Sequence, residues 1–432
     1  MKEKFKLTSL EKSWILYDVG NSAFILLVST LIPIYFNALA NGAGVNEDLY
    51  LSYWGYAGSV ATILVAVIAP ICGTLADRNF KKRIFLLCAV AGAVGCAVLG
   101  LASHWLVFLG VFVVAKVGYS SSLVFYDSML PEITRDSRMD KVSSMGYAFG
   151  YIGSVIPFIL CLVLVLMHGT FGLTQGAAMA LAFLITAVWW ILCTVPLLRG
   201  YRQTAFVAPA ENPLSDTFRQ LGRTFREAKK EKHIFLYLIA FFFFIDGVYT
   251  IIDMATAYGT ALGLDTTGLL LALLLTQFVA FPCSILFGRL SARYEAGLLI
   301  KVSIGAYTGI TLFAVFLTSQ WQFWTLAVLV GMFQGGIQAL SRSYLGKIIP
   351  AERSGEYYGL MDIFGKGADA VGPAMVGFIT GLLGDQFSIT LFGVELKGQN
   401  VGVGFLVVLF AVGFFLFCKA DKLNKSRKAA NV

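Results

Sequence analysis

The chain of 432 residues consists largely of long apolar runs, and no other feature limits its possible folds as strongly. There are about twelve runs of roughly 18 to 29 residues, and a helix needs about 20 residues to cross the hydrocarbon core of a bilayer. Because lipid cannot hydrogen-bond to the backbone, such runs must cross as helices that satisfy their own N–H and C=O groups. We therefore predict an all-α integral membrane protein with twelve transmembrane helices, at residues 14–39, 53–76, 84–103, 105–129, 142–167, 177–198, 234–262, 267–290, 299–318, 321–341, 357–383 and 401–418.

Composition excludes the soluble classes of protein. Hydrophobic residues make up 58% of the chain and charged residues 13%, which a soluble protein of this length would not show. All seven cysteines lie within predicted spans without a CxxC pair, and the three histidines lie at span ends. We interpret the cysteines as small buried residues and expect neither a metal site nor a cofactor.

The basic residues predict the orientation of the chain. All lysines and arginines except Lys116, Lys366 and Lys397 fall in the N-terminus, the C-terminus and one alternating set of loops or adjoining span ends. Because basic residues are retained on the cytoplasmic side, we predict a multi-pass protein of the cell (plasma) membrane with both termini in the cytoplasm. This topology accounts for the net charge of +8, so the expected surroundings are the lipid bilayer, with no nucleic acid partner.

Three pairs of segments repeat in the same order along the chain. The segment at Asp18 matches the one at Asp246, and residues 73–78 match residues 288–293. In the third pair, Ser122 lies nine residues before a proline, and so does Ser341. A parallel repeat of six spans indicates a duplicated unit. We predict two pseudo-symmetric six-helix lobes, at residues 1–198 and 234–432, joined by a cytoplasmic linker at 199–233.

The linker has the pattern of an amphipathic basic helix. Pro213 stands at a plausible helix start, and Leu214, Phe218, Leu221 and Phe225 follow at helical spacing among several arginines and lysines. Such a helix could lie on the inner leaflet. A solvated linker with one apolar face fits the same residues.

Five spans carry polar groups at depths where hydrocarbon is expected. They are Asp18 and Asn21 in the first span, Lys116 in the fourth, Asp246, Tyr249 and Asp253 in the seventh, Gln334 and Gln338 in the tenth, and Asp362, Lys366 and Asp369 in the eleventh. An ionisable group in a span costs several kcal/mol, roughly 2.5–3.5 on insertion scales, unless it faces protein or water. These side chains therefore predict one shared polar interior, which holds the substrate or protons.

The carboxylates in the spans outnumber the cations. The spans contain two lysines, Lys116 and Lys366, and five aspartates. At least one carboxylate therefore has no basic partner within the bilayer. Hydrocarbon surroundings favour the protonated form of such a group, which indicates a proton-binding site. Lys366 either pairs with Asp362 and Asp369 along its own helix or faces the substrate.

Several segments resemble a known family of transporters. The sequence GTLADRNFKKR at 73–83 resembles the signature of the major facilitator superfamily, although Phe80 replaces a glycine, Lys81 an arginine, and the second copy has Ala292 for the aspartate. More specific matches lie at 17–24, 146–153, 245–251 and 338–366. Together they resemble the bacterial branch of the group related to the fungal vacuolar amino-acid effluxers of autophagy.

The resemblance implies a fold, a mechanism and a gate. It implies the major facilitator fold, alternating access, and a cavity formed mainly by spans 1, 4, 7 and 10. Asp77 and Arg78 would belong to a cytoplasmic gate that locks the lobes in the outward-open state. Other charges at cytoplasmic helix ends could bridge or cap helices there, namely Glu132, Arg135, Arg342, Glu352 and Arg353.

The function predicted from these observations is secondary active transport of small solutes. Amino acids are the leading substrate class through the resemblance, export is the expected direction, and proton coupling and uniport both fit. A multidrug exporter is the closest alternative, and a non-transporting membrane sensor of the same fold is another. The chain has no HExxH, GxSxG or Ser-His constellation, so we do not expect an enzyme. We expect a monomer.

Overall fold

The computed structural model describes the backbone of residues 5–45, 47–207, 226–227, 229–383, 387–391 and 393–430. Within these ranges it leaves out the side chains at 47–52, 256–257, 261, 266–267, 270 and 367–370. The predicted linker helix that starts at Pro213 lies almost wholly outside the described residues. The side chain of Asp369 lies outside them as well.

The first six predicted spans form seven helices. These are α1 (Ser9–Val28), α2 (Leu31–Gly42), α3 (Glu47–Leu75), α4 (Lys81–Leu99), α5 (Trp105–Ile133), α6 (Asp136–Leu166) and α7 (Gln175–Gly200). A polar cap fixes the start of α1. The Oγ1 atom of Thr8 accepts the N–H of Glu11, whose carboxylate accepts the N–H of Thr8, a reciprocal pair that satisfies two backbone donors.

The last six predicted spans form a second series of seven helices. These are α8 (Lys232–Ala261), α9 (Thr266–Leu290), α10 (Ala296–Val315), α11 (Gln320–Ile348), α12 (Ser354–Leu383), α13 (Gly398–Gly404) and α14 (Leu406–Ala430). A single 3-10 turn, Ala351–Arg353, leads into α12. Asp265 caps α9 by accepting the N–H of Gly268 at 2.7 Å.

The first predicted span is broken in two, which the apolar pattern did not indicate. The break lies at Ser29 and Thr30, four residues and three residues before Pro33. Proline has no N–H, and its ring clashes with the carbonyl four residues earlier. The Thr30 N–H bonds to the Leu27 carbonyl oxygen and not to that of Leu26. The Ser29 Oγ atom donates to the Leu26 carbonyl oxygen at 3.2 Å, so a side chain satisfies part of the interrupted backbone.

The predicted loop between the second and third spans is a tight helical corner. The turn Ala76–Phe80 joins α3 to α4, and Asn79 adopts φ 71° within it. Asparagine tolerates this left-handed conformation better than most residues. The corner turns Asp77 and Lys81 inward, and both are buried.

Among the described residues, ten helical segments are long and apolar enough to cross a membrane. One of them, Tyr53–Leu99, contains both the second and the third predicted spans. The charged helix α12, which is the predicted eleventh span, is not among the ten. This arrangement is consistent with twelve crossings, and the prediction of an all-α multi-pass membrane protein is confirmed.

Internal contacts divide the chain into two compact units. The first unit comprises Met1–Val142, Phe149–Leu221 and Pro350–Gly359, and the second comprises Ser143–Ala148, Gly222–Ile349 and Leu360–Val432. A short stretch of α6 and the start of α12 thus belong, by their contacts, to a different unit from the rest of their helices. The division predicted at 199–233 stays a prediction.

Aromatic side chains form much of the core of each unit. In the first unit Trp14 stacks on Tyr126 with ring centroids 4.3 Å apart. In the second, Tyr237 packs against Tyr344 at 5.0 Å, and Phe417 contacts both rings. Rings at these separations add to the stability that burial provides, and they fix α1 against α5 and α8 against α11 and α14.

A short β-hairpin lies between α12 and α13, outside the predicted spans. Strands β1 (Ser388–Leu391) and β2 (Val394–Lys397) pair antiparallel, with Ser388 opposite Lys397. Gly393 in the turn has φ 80°, which glycine adopts readily. The apolar alternation in β1 is too short to have stood out among the spans.

Candidate functional site

Asp18 lies buried in the first unit beside an aromatic cluster. It is 6% exposed, and its Oδ2 atom accepts the phenol O–H of Tyr126, on α5, at 2.9 Å. The Tyr126 ring is itself held by Trp14, which stacks on it and donates its indole N–H to the Tyr126 carbonyl oxygen at 3.0 Å. The carboxylate is therefore positioned by a side chain whose own orientation is fixed.

Asn21 and Tyr17 lie on the same helix as Asp18. The Asn21 amide is buried and donates to the Tyr17 carbonyl oxygen at 3.0 Å. The Tyr17 hydroxyl is within 2.5 Å of the Ser122 hydroxyl. One amide hydrogen of Asn21 is thus satisfied within α1.

Asp246 is fully buried in the second unit. Its Oδ1 atom accepts the backbone N–H of Gly372, on α12, at 2.8 Å, and lies 3.4 Å from the Thr250 hydroxyl on the next turn of α8. Asp18 and Asp246 match in the sequence repeat, but their partners differ. A phenol on a neighbouring helix holds the first, whereas a helix backbone holds the second.

The other polar residues predicted in the spans occupy different depths of their units. In the first unit Lys116 is half-buried, with Nζ 6.0 Å from the centre of the Phe112 ring, near the limit for a cation–π contact. In the second unit Gln334 is buried and Asp253 is exposed. Half-buried positions are occupied by Tyr249, Gln338, Asp362 and Lys366.

Asp77 caps the start of α12. Its two carboxylate oxygens accept the N–H groups of Gly355 and Glu356 at 2.8 and 2.9 Å, all within the first unit. A carboxylate at this position satisfies backbone donors that have no partner within the helix and interacts favourably with the helix dipole. Gly73 and Gly355 allow the approach, because a Cβ on Gly73 would lie 2.5 Å from the Gly355 carbonyl oxygen.

Lys81 balances the negative charge of this cluster. Its side chain is 0% exposed, and Nζ lies 2.7 Å from Glu132 Oε1 and 3.7 Å from Asp77 Oδ1. The ammonium group also donates to the Ser354 hydroxyl at 2.8 Å and to the Ser128 carbonyl oxygen at 3.3 Å. In the sequence, Lys81 stands out only as a departure from a family signature, and no local pattern indicates its role in the cluster.

Glu132 connects the cluster to the chain that follows α7. Its carboxylate accepts the Tyr201 hydroxyl at 2.9 Å and the N–H groups of Thr204 and Ala205 at 2.7 and 3.1 Å. Burial, together with the nearby carboxylate of Glu132, raises the pKa of Tyr201. Tyr201 therefore stays protonated and donates its hydrogen bond across the neutral pH range.

The remaining residues predicted for the gate differ in burial and in their contacts. Arg78 is buried in the corner before α4, and Arg353 pairs with Glu356, Nη2 to Oε2, at 2.9 Å. Arg135 and Glu352 are exposed and are not brought into the Asp77–Lys81–Glu132 cluster.

Arg342 forms a separate contact in the second unit. Its Nε atom donates to the Ser143 hydroxyl at 2.9 Å, and its Nη2 atom donates to the Ser143 carbonyl oxygen at 3.0 Å. The guanidinium carbon lies 4.4 Å from the centre of the Tyr147 ring. This contact fixes the Ser143–Ala148 stretch of α6 against α11.

Two ionic networks were not predicted from the sequence. Glu11 pairs with Arg138 at 2.6 Å in the first unit, and Asp421 pairs with Lys301 at 2.6 Å in the second. The spacing of Thr8 and Glu11 is a readable capping signal. The ionic partners lie more than a hundred residues apart in the chain, so no local pattern indicates them.

Comparison with known proteins gives one family and a series of relatives. The family model described as "Vacuole effluxer Atg22 like" matches residues 9–430. The uncharacterized MFS-type transporter YxiO of Bacillus subtilis is 37% identical over 417 residues, which cover 95% of this chain and 94% of that protein. Autophagy-related protein 22 of Kluyveromyces lactis is 22% identical over 433 residues, 85% of this chain and 87% of that protein.

Solved structures with the same fold are also found. A bacterial homologue of the iron transporter ferroportin, in the outward-facing state, superposes with a TM-score of 0.68 at 14% identity, covering 96% of this chain and 98% of that chain. FucP in the outward conformation gives a TM-score of 0.67 at 14% identity, with 95% and 97% covered. At these identities the likeness concerns the fold alone, and it confirms the predicted major facilitator fold.

Proposed function

The chain belongs to the Atg22-like family of major facilitator superfamily transporters, and we propose that it exports amino acids by alternating access. Its relatives are membrane transporters and not enzymes, so it moves small solutes across a membrane. The family description as effluxers supports export. The resemblance to fungal amino-acid effluxers supports the substrate class.

The observation that carries this proposal is the pair of buried aspartates. Asp18 and Asp246 match in the sequence repeat, and each is buried in an apolar helix of its own unit. A carboxylate at membrane depth is costly and is retained where it binds protons or substrate. A protonated amine or a proton is the ligand that such a carboxylate binds best. We further propose that transport is coupled to protons and that Asp246 carries the coupled proton.

An amino acid also requires a cation for its carboxylate. Lys116 and Lys366 are half-buried in helices of the two units, and either ammonium group could bind a carboxylate as a point charge. Buried Gln334, with half-buried Gln338 and Tyr249, could supply hydrogen bonds. Each unit thus carries both an aspartate and a lysine in its helices, which favours a small solute with both charges over a purely apolar drug.

The Asp77–Lys81–Glu132 cluster is proposed as the cytoplasmic gate. Its hydrogen bonds to Gly355 and Glu356 hold the first turn of α12. Because α12 continues from the first unit into the second, release of this cap would free the helix to move during transport. Arg342, through Ser143 and Tyr147, would hold α6 in the corresponding way.

The location and assembly of the protein follow from the same account. We propose that it resides in the plasma membrane with both termini in the cytoplasm, because nearly all its basic residues lie on one side of the predicted topology. We further propose that it works as a monomer. The vacuolar location of the fungal relatives is not carried over.

A ligand screen followed by flux measurement tests the proposed function. Purified protein is heated with amino acids, peptides, sugars and hydrophobic cations, and each stabilising compound is then tested for counterflow in proteoliposomes. We expect amino acids to stabilise and to be transported, and Asp18→Asn to weaken binding roughly tenfold or more, since a charged hydrogen-bond partner is worth about 1.5–3 kcal/mol. Asp265→Asn, at the exposed cap of α9, is the control and should bind normally.

Two outcomes would replace the proposal. Stabilisation and flux of hydrophobic cations but not of amino acids would indicate a multidrug exporter. Saturable stabilisation without counterflow would indicate a sensor.

A further inference from the structure

Helix α12 contains a built-in weak point at Gly372 and Pro373. Pro373 lies inside the helix Ser354–Leu383, where it removes one backbone hydrogen bond and crowds the carbonyl four residues earlier. Glycine, which precedes it, has the lowest helix propensity of any residue except proline. Two adjacent residues of this kind make the helix easiest to bend at this position.

A carboxylate from another helix lies against this weak point. The Asp246 Oδ1 atom, on α8, accepts the Gly372 N–H at 2.8 Å, and the Thr250 hydroxyl lies 3.4 Å from the same oxygen. Asp246 is fully buried and Gly372 is buried as well, so water does not compete strongly for the bond. Aspartate side chains accept backbone N–H groups in this way at helix starts, whereas Asp246 does so at a residue within a helix.

Only glycine at position 372 permits this contact. A Cβ atom placed there would overlap the Thr250 hydroxyl and the Asp246 carboxylate. At Gly377, one and a half turns further along the same helix, an added Cβ atom would have nothing within 4 Å. The absence of a side chain is therefore required at 372 and not at 377.

We propose that Asp246 is a positioning residue that latches a hinge at Gly372 and Pro373 of α12, and that transport requires this latch to open and close. The inference rests on the proposed transport function, because it assigns the hinge a step in the transport cycle. It also separates the two aspartates of the repeat. Asp18 accepts a hydrogen bond from the Tyr126 side chain. Asp246 instead links the binding of a ligand beside it to the bending of α12 at Gly372 and Pro373.

Two glycine variants of the same helix test the hinge. In Gly372→Ala the new methyl group should displace the carboxylate, raise amide hydrogen exchange across residues 371–378 and slow transport, each by roughly tenfold, as expected for loss of a hydrogen bond to a charged group. In Gly377→Ala, the matched control, both quantities should stay within about threefold of the unmodified protein. Equal exchange and equal transport in the two variants would overturn the proposal.

A second pair of variants keeps the test decisive if Gly372→Ala does not fold. Asp246→Asn retains a carbonyl oxygen that can accept the Gly372 N–H, whereas Asp246→Ala has no acceptor. Faster exchange across 371–378 in Asp246→Ala than in Asp246→Asn supports the latch, and indistinguishable exchange in the two contradicts it. These exchange measurements need no substrate, so they test the hinge independently of the proposed function. If the exchange difference is found but amino acids are not transported, the proposed function is refuted and the hinge is not.

Discussion

At the level of single residues, one lysine balances the negative charge of the Asp77–Lys81–Glu132 cluster. Lys81 Nζ contacts the carboxylates of both Glu132 and Asp77. Removing one member of a buried ionic group leaves the others desolvated and uncompensated, which costs far more than loss of a surface ion pair. Lys81 therefore matters to stability as well as to the proposed gate.

Replacing Lys81 with methionine tests this balance. Lys81→Met keeps the length of the side chain but leaves two buried carboxylates without their cation, and we expect it to lower the free energy of unfolding by about 3–5 kcal/mol. Arg83→Gln, two residues further on in α4, is the control and should change it by less than about 0.5 kcal/mol. Thermal unfolding of both variants in the same detergent provides the measurement, and similar midpoints would contradict the assignment.

At the level of secondary-structure elements, α12 is supported from outside by two carboxylates. Asp77 caps its first turn at Gly355 and Glu356, and Asp246 contacts its interior at Gly372. Both carboxylates accept backbone N–H groups. A proline in the interior of a helix removes one backbone hydrogen bond, so contacts from other helices add to the stability of α12.

Removal of the first cap should loosen only the start of α12. In Asp77→Ala two backbone donors lose their acceptor, and we expect faster hydrogen exchange at 355–357 and a loss of about 2 kcal/mol in the free energy of unfolding. Asp265→Ala, which removes the cap of α9, serves as the control and should leave exchange at 355–357 unchanged. Unaltered exchange there in Asp77→Ala would show that the aspartate does not support the helix.

At the level of the whole molecule, the sequence predicted the membrane class, the helical spans and the placement of Asp18 and Asp246 in apolar helices. These follow from hydropathy and from repeated motifs, which are local properties of the chain. The break at Ser29 was not predicted, although Pro33 was a visible signal. The burial of Lys81 and the hydrogen bond between Asp246 and Gly372 could not be predicted, because the contacting residues are distant in sequence. In the second case the donor is also a backbone N–H, a group that nearly every residue has.

The two matching aspartates of the repeat accept hydrogen bonds from different kinds of donor, which the sequence match does not indicate. Asp18 is held by a phenol in the first unit, and Asp246 is held by a helix backbone in the second. Duplicated halves can thus keep a matching aspartate while its environment diverges. Asp246 is the residue at which binding of a proton or an ammonium group and a change in helix shape would coincide.

Amino-acid uptake into proteoliposomes under an imposed pH gradient tests the central claim most directly. We predict that the unmodified protein accumulates amino acids in response to the gradient, and that Asp246→Asn reduces this response by roughly tenfold or more, because the amide cannot carry a proton on and off. Counterflow without a gradient should persist in the variant if the fold is intact. Gradient-driven accumulation of the same size in Asp246→Asn would contradict the coupling role of Asp246, and absence of amino-acid flux in the unmodified protein would contradict the proposed function.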